Sequence, residues 1–385
     1  MEQKLYHNKN LQVIFSITLV AVLGVASITP AFPKMERELN VSAQDIGLLI
    51  TVFTLPGVIL TPIFGVLADR FGRKKILIPA LILFGVAGTS CFFAGNFHIL
   101  LIFRLLQGIG AASLGSLNVT LIGDFFERSE RATAMGCNAS VLSIGTASYP
   151  AIGGVLATIG WHFPFLLPAF ALPIAFFALY QLDTTKPAVK QNLKEYLITA
   201  WTSIKDKQVI GIFILSVSTF ILLYGTYLTY FPFLLDSDFS APPFIIGLFF
   251  SVASLTTAVT SSQLGRLSAK YSDKILLKAA FIIYTISFTM IPLMPSLWLL
   301  IFPLILFGMA QGLNIPSLQT MLTNLAPIEN RAAFMSLNGM VLRIGQTLGP
   351  IIMGFVFTFS GISGVYFAGA AFALFLFLLI LVLIR

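Results

Sequence analysis

Groups capable of chemistry are rare in this chain, because only 10% of its 385 residues are charged. One short segment, GVLADRFGRKK (65–75), concentrates five charges between two stretches that are almost free of charge. Two arginines, Arg104 and Arg343, lie inside apolar stretches, where a charge is costly and marks a functional position by default. The three histidines are scattered, and no nucleophile–base pair or metal-ligand spacing occurs. The sequence therefore predicts neither an enzyme nor a cofactor or metal site.

The elements that must position these charges are membrane helices. Hydrophobic residues make up 57% of the chain, and roughly twenty consecutive apolar residues span a bilayer as a helix. About twelve such stretches begin near residues 11, 46, 76, 99, 134, 161, 208, 245, 275, 297, 333 and 362. The predicted fold class is an all-α integral membrane protein with twelve transmembrane helices.

The distribution of Lys and Arg predicts the topology. If the chain crosses twelve times, its ends and even-numbered loops share one side, and most of the 23 basic residues lie there. By the positive-inside rule that side is cytoplasmic. We therefore expect a multi-pass protein of a bacterial or archaeal inner membrane, with both termini in the cytoplasm. The net charge of +8 then reflects topology, with the lipid bilayer and no nucleic acid as partner, and a monomer is expected.

An internal repeat divides the chain. The two halves match at a constant shift of 200 residues, as when Gly47 recurs as Gly247 and Pro150 as Pro350. The predicted domains are a six-helix bundle over 1–181, a polar cytoplasmic linker over 182–207 and a second six-helix bundle over 208–385. Two parallel repeats are an architecture of secondary transporters, in which a small-molecule substrate binds near the midplane between the halves.

Four segments carry a family resemblance. GVLADRFGRKK (65–75), LIFRLLQGIGAA (101–112), GTASYPAIGG (145–154) and LGVASITPAFP (23–33) resemble, at the matching helices, signatures of the major facilitator superfamily. The chain is most similar to the twelve-helix drug:proton antiporter group of that superfamily. Tyr149 departs from the third signature, in which a glycine is usual, and the second-half copy has Gly349 at that position.

The resemblance implies a conformational latch at the first segment. Asp69 would cap the N-terminal end of helix 11 in the outward-open state, where an anion meets the positive end of a helix dipole. Arg73 would pair with Asp124 at the cytoplasmic end of helix 4. The alternative is that these charges serve topology alone. The expected latch residues are Gly65, Asp69, Arg70, Gly72, Arg73, Lys74 and Asp124.

The second and third signatures imply coupling and rocking. Arg104 is the candidate for influencing a proton site, and its alternative role is to hold the bundle through helix carbonyls. Glycines and prolines give close packing and kinks, as a rocking interface requires. The residues expected there are Gly145, Pro150, Gly153, Gly154, Gly345, Gly349, Pro350 and Gly354.

The substrate cavity of the superfamily is lined by helices 1, 4, 7 and 10. This implies as candidates Gln107, Asn118, Tyr224, Tyr227, Tyr230, Gln311 and Asn314. Two candidates from other helices join them: Arg343 as a fixed positive charge, and Tyr149 of helix 5, which could either narrow the cavity or line it. For any one aromatic residue the alternative is core packing, and Arg343 could instead contribute to the cytoplasmic gate. Arg104 and Arg343 are two cationic groups without a facing carboxylate, which favours anionic, zwitterionic or neutral substrates over cations.

The predicted function is export of amphiphilic drugs or metabolites by alternating access, in exchange for protons. No acidic residue lies in the middle of an apolar stretch, so the sequence does not identify a proton site. Two alternatives stay open: a facilitator or proton symporter of a small organic anion, and a transport-dead membrane sensor.

Overall fold

The computed structural model describes residues 8–183, 207–325 and 331–383. Eleven helices in these ranges are long and apolar enough to span a membrane. The last of them, Arg331–Leu383, contains two spans, because Gly361 breaks it with a φ of 65°. The structure therefore confirms the predicted all-α architecture of twelve spans. The predicted linker lies almost entirely at 184–206, outside the described ranges.

The six helices of the first half and the six of the second are numbered in chain order. In the first half they are α1 (Lys9–Leu39), α2 (Ala43–Phe71), α3 (Arg73–Phe93), α4 (Phe97–Phe125), α5 (Arg128–Ile159) and α6 (Phe163–Gln181). In the second half they are α7 (Lys207–Phe239), α8 (Pro243–Ser262), α9 (Asp273–Leu293), α10 (Leu297–Leu325), α11 (331–360) and α12 (362–383).

The bounds of α2 have local causes. Ser42 caps its start, because its hydroxyl oxygen accepts a hydrogen bond from the backbone N–H of Asp45 while the Asp45 carboxylate accepts from the backbone N–H of Ser42. Such a capping box satisfies two N–H groups that a helix start leaves unpaired. Gly72 ends α2 with a φ of 99°, a conformation that favours glycine. The charged loop therefore turns sharply into α3.

The first helix of each half is irregular at the same place. In α1 the α-helical hydrogen bonding stops at Ala26, and a 3₁₀ turn follows at Thr29–Ala31. In α7 a π-helical segment occupies Leu222–Thr229. The 200-residue repeat brings these irregularities into register. Single-turn π segments occur frequently at functional sites, and this one carries Tyr224.

The halves meet along two pairs of helices. Helix α2 packs on α11, and α5 packs on α8. These contacts form the surface that we call the seam. Within the halves, α4 packs on α2 and α3, while α10 packs on α8 and α9. Each seam helix therefore touches both its own bundle and the other half.

Candidate functional site

Two glycine–proline contacts at the seam are related by the repeat. A Cβ atom placed on Gly47 of α2 would lie 3.3 Å from the Cβ of Pro350 on α11. The counterpart, Gly247 of α8, faces Pro150 on α5, where an added Cβ would lie 2.8 Å from the Pro150 carbonyl carbon. The same two residue types thus form the contact on both sides of the molecule. The second contact is the tighter one.

A second pair of contacts follows the same symmetry. A Cβ atom added to Gly154 of α5 would lie 3.0 Å from the Cα of Phe244 on α8. The counterpart on Gly354 of α11 would lie 3.1 Å from Cγ of Gln44, in the first turn of α2. Gln44 also accepts a 2.7 Å hydrogen bond from the Thr358 hydroxyl. These contacts join the halves near one end of the seam.

The other four glycines expected at a rocking interface pack inside their own half. Each would press an added Cβ against a helix of the same bundle, on α1 in the first half and on α7 in the second. The pairs are Gly145 with Leu19, Gly153 with Ser27, Gly345 with Val217 and Gly349 with Gly225. The structure therefore divides the predicted set into seam residues and bundle residues.

Polar groups line the middle of the seam. The Thr51 hydroxyl donates to the Thr347 carbonyl oxygen at 3.2 Å, and the Thr54 and Thr347 hydroxyls lie 2.9 Å apart. One turn nearer the start of α11, the side chain of Arg343 lies against α2 at Gly57, where an added Cβ would be 3.0 Å from Cδ. A guanidinium group thus lies at the boundary between the halves.

An ion pair joins the ends of α1 and α7. Arg37 Nη1 lies 2.5 Å from Asp236 Oδ2, and nearby the rings of Phe32 and Phe233 stack with centroids 6.5 Å apart. This end of the molecule, which we call the opposite face, lies away from the charged α2–α3 loop. We call the end that bears the loop the basic face. The two halves are therefore closed against each other at the opposite face.

A charge cluster forms at the basic face. Arg73 is bonded to the Asp124 carboxylate at the end of α4, and its Nη2 also lies 3.1 Å from Asp69. Lys74 donates a 2.7 Å hydrogen bond to the Leu182 carbonyl. All of these partners belong to the first half.

The remaining predicted latch residues are less engaged. The Arg70 guanidinium lies 5.4 Å from the centroid of the Phe71 ring, and Gly65 is half-buried in α2. The expected contact of Asp69 with the start of helix 11 involves residues 326–330 and the side chains of 331–336, which are outside the described part of the chain. In this conformation Asp69 pairs with Arg73.

Arg104 is fully buried on α4 and binds the backbone of two other helices. Nη1 donates to the Gly24 carbonyl at 2.8 Å and to Gln107 at 2.7 Å, while Nε donates to the Leu49 carbonyl at 3.2 Å. The Gly24 carbonyl lies where the α-helical hydrogen bonding of α1 stops, since the N–H of Ile28 bonds to Val25 instead. Arg104 thus satisfies an acceptor that the break in α1 leaves free.

Six of the nine predicted cavity residues are buried within one half. In the first half, Asn118 donates to the Thr18 hydroxyl and Gln107 holds Arg104. In the second, Asn314 donates to Thr219 and Gln311 accepts from Tyr284. The rings of Tyr227 and Tyr230 pack on Phe307 and Phe357, at centroid distances of 4.1 Å and 5.0 Å.

The other three predicted cavity residues keep accessible surface: Tyr149, Tyr224 and Arg343 are each half-buried. A separate apolar groove of about 270 Å³ lies between α7 and α11 and is lined by Ile210, Phe213, Ile214, Val217, Ser218 and Val341. None of the nine predicted residues lines that groove. Three half-buried residues thus remain as candidate ligand contacts in this conformation.

The comparisons with known proteins agree with this architecture. The sequence model of the Major Facilitator Superfamily matches residues 14–240 and 229–385. The chain belongs to the Major Facilitator Superfamily. It is therefore a multi-pass membrane protein of a transporter family, and its relatives and structural neighbours are transporters rather than enzymes.

Relatives of this superfamily member match over nearly their whole length. The bacillibactin exporter of Bacillus subtilis is 27% identical, over 89% of this chain and 88% of the relative. Multidrug resistance protein 1 of the same organism is 26% identical, over 97% and 95%. The solved structure of the nucleoside transporter NupG is 16% identical and superposes with a TM-score of 0.79, over 98% of this chain and 99% of the other. That structural likeness supports the fold.

Sequence reasoning missed several seam residues of this superfamily member. Thr54 and Thr347 carried no signal, because isolated threonines in membrane helices have no periodic pattern. Arg343, by contrast, is one of the predicted cavity residues, and the sequence around it carries a further signal. Both membrane arginines are followed three residues later by glutamine, and both donate through Nη1 to that glutamine, at 2.7 Å in α4 and 3.0 Å in α11. The repeated Arg-x-x-Gln spacing predicts a local arginine–glutamine pair on one helix face.

Proposed function

We propose that the protein exports amphiphilic drugs or metabolites by alternating access, in exchange for protons. The observation that carries the proposal is the symmetric seam. Gly47 with Pro350 and Gly247 with Pro150 form repeat-related contacts between two bundles of similar sequence. Two related bundles that touch through small residues can rock about such contacts, which opens a central path to one side and then to the other.

The conformation described here is the inward-facing one in this proposal. The Arg37–Asp236 pair and the glycine contacts close the opposite face, and the positive-inside rule places the basic face in the cytoplasm of an inner membrane. Asp69 is engaged with Arg73 rather than with the second half. Rocking would break the contacts at the opposite face and bring Asp69 towards helix 11, so that the cluster at the basic face acts as a latch in the outward-facing state.

The proposed substrate class is taken from the names of the relatives. A bacillibactin exporter and a multidrug resistance protein align over most of this chain, and one name states export while the other states resistance to several drugs. The buried Arg104 of α4 supports the same group, because its hydrogen bonds to Gly24 and Leu49 tie the proposed coupling helix to α1 and α2. A change in α4 would thus be transmitted directly to the helix break in α1.

Proteoliposomes containing a pH-sensitive dye test the proposal. A panel of drugs and organic anions is added under an imposed pH gradient, and proton movement and substrate flux are both recorded. We expect substrate-dependent proton movement that is lost in Asp69→Asn and in Arg104→Ala. The matched control is Asp273→Asn, which removes an acid from the first turn of α9 and should behave as wild type.

One observation favours a second candidate, a facilitator of a small organic anion. The carboxylates in the described ranges lie near helix ends, as Asp45, Asp69 and Asp236 do, and none lies in the middle of a span. Proton exchange needs a titratable group in the pathway, so a facilitator fits this distribution better. Substrate flux without proton movement would favour the facilitator. Specific binding without flux would instead favour a sensor.

A further inference from the structure

Arg343 is a cation in the membrane interior whose hydrogen-bonding capacity is mostly unused. In the described part of the chain it has one hydrogen bond, from Nη1 to Gln346 at 3.0 Å. A guanidinium group carries five N–H donors. Arg343 is half-buried, so part of its side chain keeps accessible surface at the seam.

Among the described residues no carboxylate forms an ion pair with this arginine. The ion pairs among described residues are Arg37–Asp236 and those of Arg73 with Asp69 and Asp124. Arg343 lies against Gly57, midway along α2, and the two acids of that helix are each twelve residues from Gly57, or about 18 Å along the axis. Arg343 also interacts electrostatically with Tyr224 of α7. The nearest acid on that helix, Asp236, is twelve residues from Tyr224, which again is about 18 Å along the axis. The guanidinium group therefore lies far from every acid on the helices that surround it.

The fold itself does not require this charge. In the 200-residue repeat the counterpart of Arg343 is Ser143 on α5, and the counterpart of Gly57 is Thr257 on α8. The α5–α8 side of the seam thus packs without an arginine at this position. Burying an unpaired charge in a membrane interior is costly, so a residue that neither pairs nor is needed for packing calls for a partner from outside the chain.

Arg104 provides the internal comparison. It has the same Arg-x-x-Gln unit, but it is fully buried, donates to two backbone carbonyls and lies 4.2 Å from the centroid of the Phe53 ring. Its surroundings are those of a structural arginine. Arg343 has the matching glutamine contact but no backbone carbonyl partner in the described part of the chain.

We infer that Arg343, together with Tyr224, binds the anionic group of the transported molecule, so that the substrates are amphiphilic organic anions such as carboxylates. A planar guanidinium group matches a carboxylate with two parallel hydrogen bonds. The Tyr224 ring stacks on Phe220 with centroids 5.9 Å apart and offers an apolar surface beside the charge. Because Arg343 lies between the halves, an anion bound there touches the moving seam. The inference rests on the transport function proposed above.

Matched probe pairs test this inference: dansylglycine with dansylglycinamide, and naphthaleneacetate with naphthaleneacetamide. Each pair differs only in the carboxylate. Binding is measured by fluorescence or thermal shift with protein in nanodiscs of zwitterionic lipid, which removes anionic headgroups as competitors. Wild type should bind at least one acid better than its amide, and Arg343→Gln should weaken acid binding by about ten- to hundredfold with little effect on the amide.

Two further variants make the result specific. Arg343→Lys keeps the charge but loses the two-pronged geometry, so it should restore part of the acid binding. The control is Arg266→Gln, which removes an exposed arginine that likewise donates to a glutamine three residues away, Gln263, at 3.2 Å. It should leave the acid preference unchanged. An equal loss in this control would show a general charge effect and overturn the inference.

Parallel flux measurements separate the two proposals. If the acids bind in a way that depends on Arg343 but no probe is transported, the result would contradict the transport function and still support the anion site. Flux of amides and acids alike, unchanged in Arg343→Gln, would support transport and overturn the anion site. Equal binding of acid and amide across both pairs, or no binding of either acid, also overturns it. A response to anionic lipid alone, added in a separate nanodisc preparation, would assign the site to a lipid headgroup and refute the inference.

Discussion

The tight glycine contact at Gly247 gives a prediction that separates the two sides of the seam. In Gly247→Ala the new methyl group would overlap the Pro150 carbonyl, whose carbon would be only 2.8 Å away. Carbon atoms pack best at about 3.5–4.0 Å, so α5 and α8 must separate by roughly 1 Å at this point. The counterpart Gly47→Ala meets Pro350 and Thr229 at 3.3 Å, which asks for only a few tenths of an ångström.

The energetic consequence follows from this difference. Overpacking of a close contact costs about 1–3 kcal/mol, which corresponds to a shift of roughly 5- to 150-fold between two conformations. The cost applies to the state that is closed at the opposite face, since opening that face separates the two helices. Both substitutions share the same gain in helix propensity, about 1 kcal/mol. The comparison of Gly247→Ala with Gly47→Ala therefore isolates the contact itself.

Spin labels at Glu38 and Asp238 report the opening. Both positions are exposed, lie at the opposite face and are repeat counterparts on α1 and α7. The labels are attached to cysteines in a background without Cys91 and Cys137, and the distance distribution is measured by double electron–electron resonance. Gly247→Ala should populate longer distances, while Gly47→Ala stays close to wild type. Identical distributions for the two variants, with both proteins folded, would refute the assignment of Gly247 as a tight contact of the closed opposite face.

Three further substitutions test the polar contacts. Arg37→Gln removes the ion pair with Asp236, in which the Arg37 side chain is 58% exposed. The same labels should show a shift of the conformational equilibrium worth at most about 1 kcal/mol, smaller than the shift in Gly247→Ala. A larger shift than in Gly247→Ala would contradict this. Arg104→Met leaves the buried carbonyls of Gly24 and Leu49 unpaired and should lower the free energy of unfolding by about 1–3 kcal/mol for each. Arg104→Lys should lose less, and a wild-type thermal unfolding profile for the methionine variant would disprove the role. Asp124→Asn should lower stability by about 1 kcal/mol, and a double-mutant cycle with Arg73→Gln checks that the loss belongs to this pair.

The symmetry of the seam was only half visible in the sequence. The repeat relates Gly47 to Gly247 and Pro150 to Pro350, because a duplicated unit retains residues at constant spacing. Sequence similarity does not say which of these residues touch. The folded chain brings each glycine to the proline of the other half, and it places Gly145, Gly153, Gly345 and Gly349 inside the bundles.

The helix irregularities show the same limit. Pro30 predicts a kink in α1, since proline cannot donate its nitrogen to the helix. The π-helical segment at Leu222–Thr229 contains no proline, and its equivalence to the break in α1 emerged only when both helices were seen in register. Likewise, Asn118 and Gln311 are polar residues on membrane helices, which predicts a cavity, but in the structure each forms a hydrogen bond inside its own bundle, Asn118 with Thr18 and Gln311 with Tyr284.

The sequence by itself determined the twelve apolar spans, the two halves and the positions of the membrane charges, because these depend on composition and spacing along the chain. The superfamily also followed from local signatures. Only the tertiary structure decided which of the membrane charges form hydrogen bonds with other helices of the protein. Arg104 and Arg343 share a glutamine three residues on, but hydrogen bonding depends on what other helices bring to the same place. Neighbouring helices bring free carbonyls and a ring to Arg104. A glycine of the other half faces Arg343 instead, and within the described residues most of its donors have no partner.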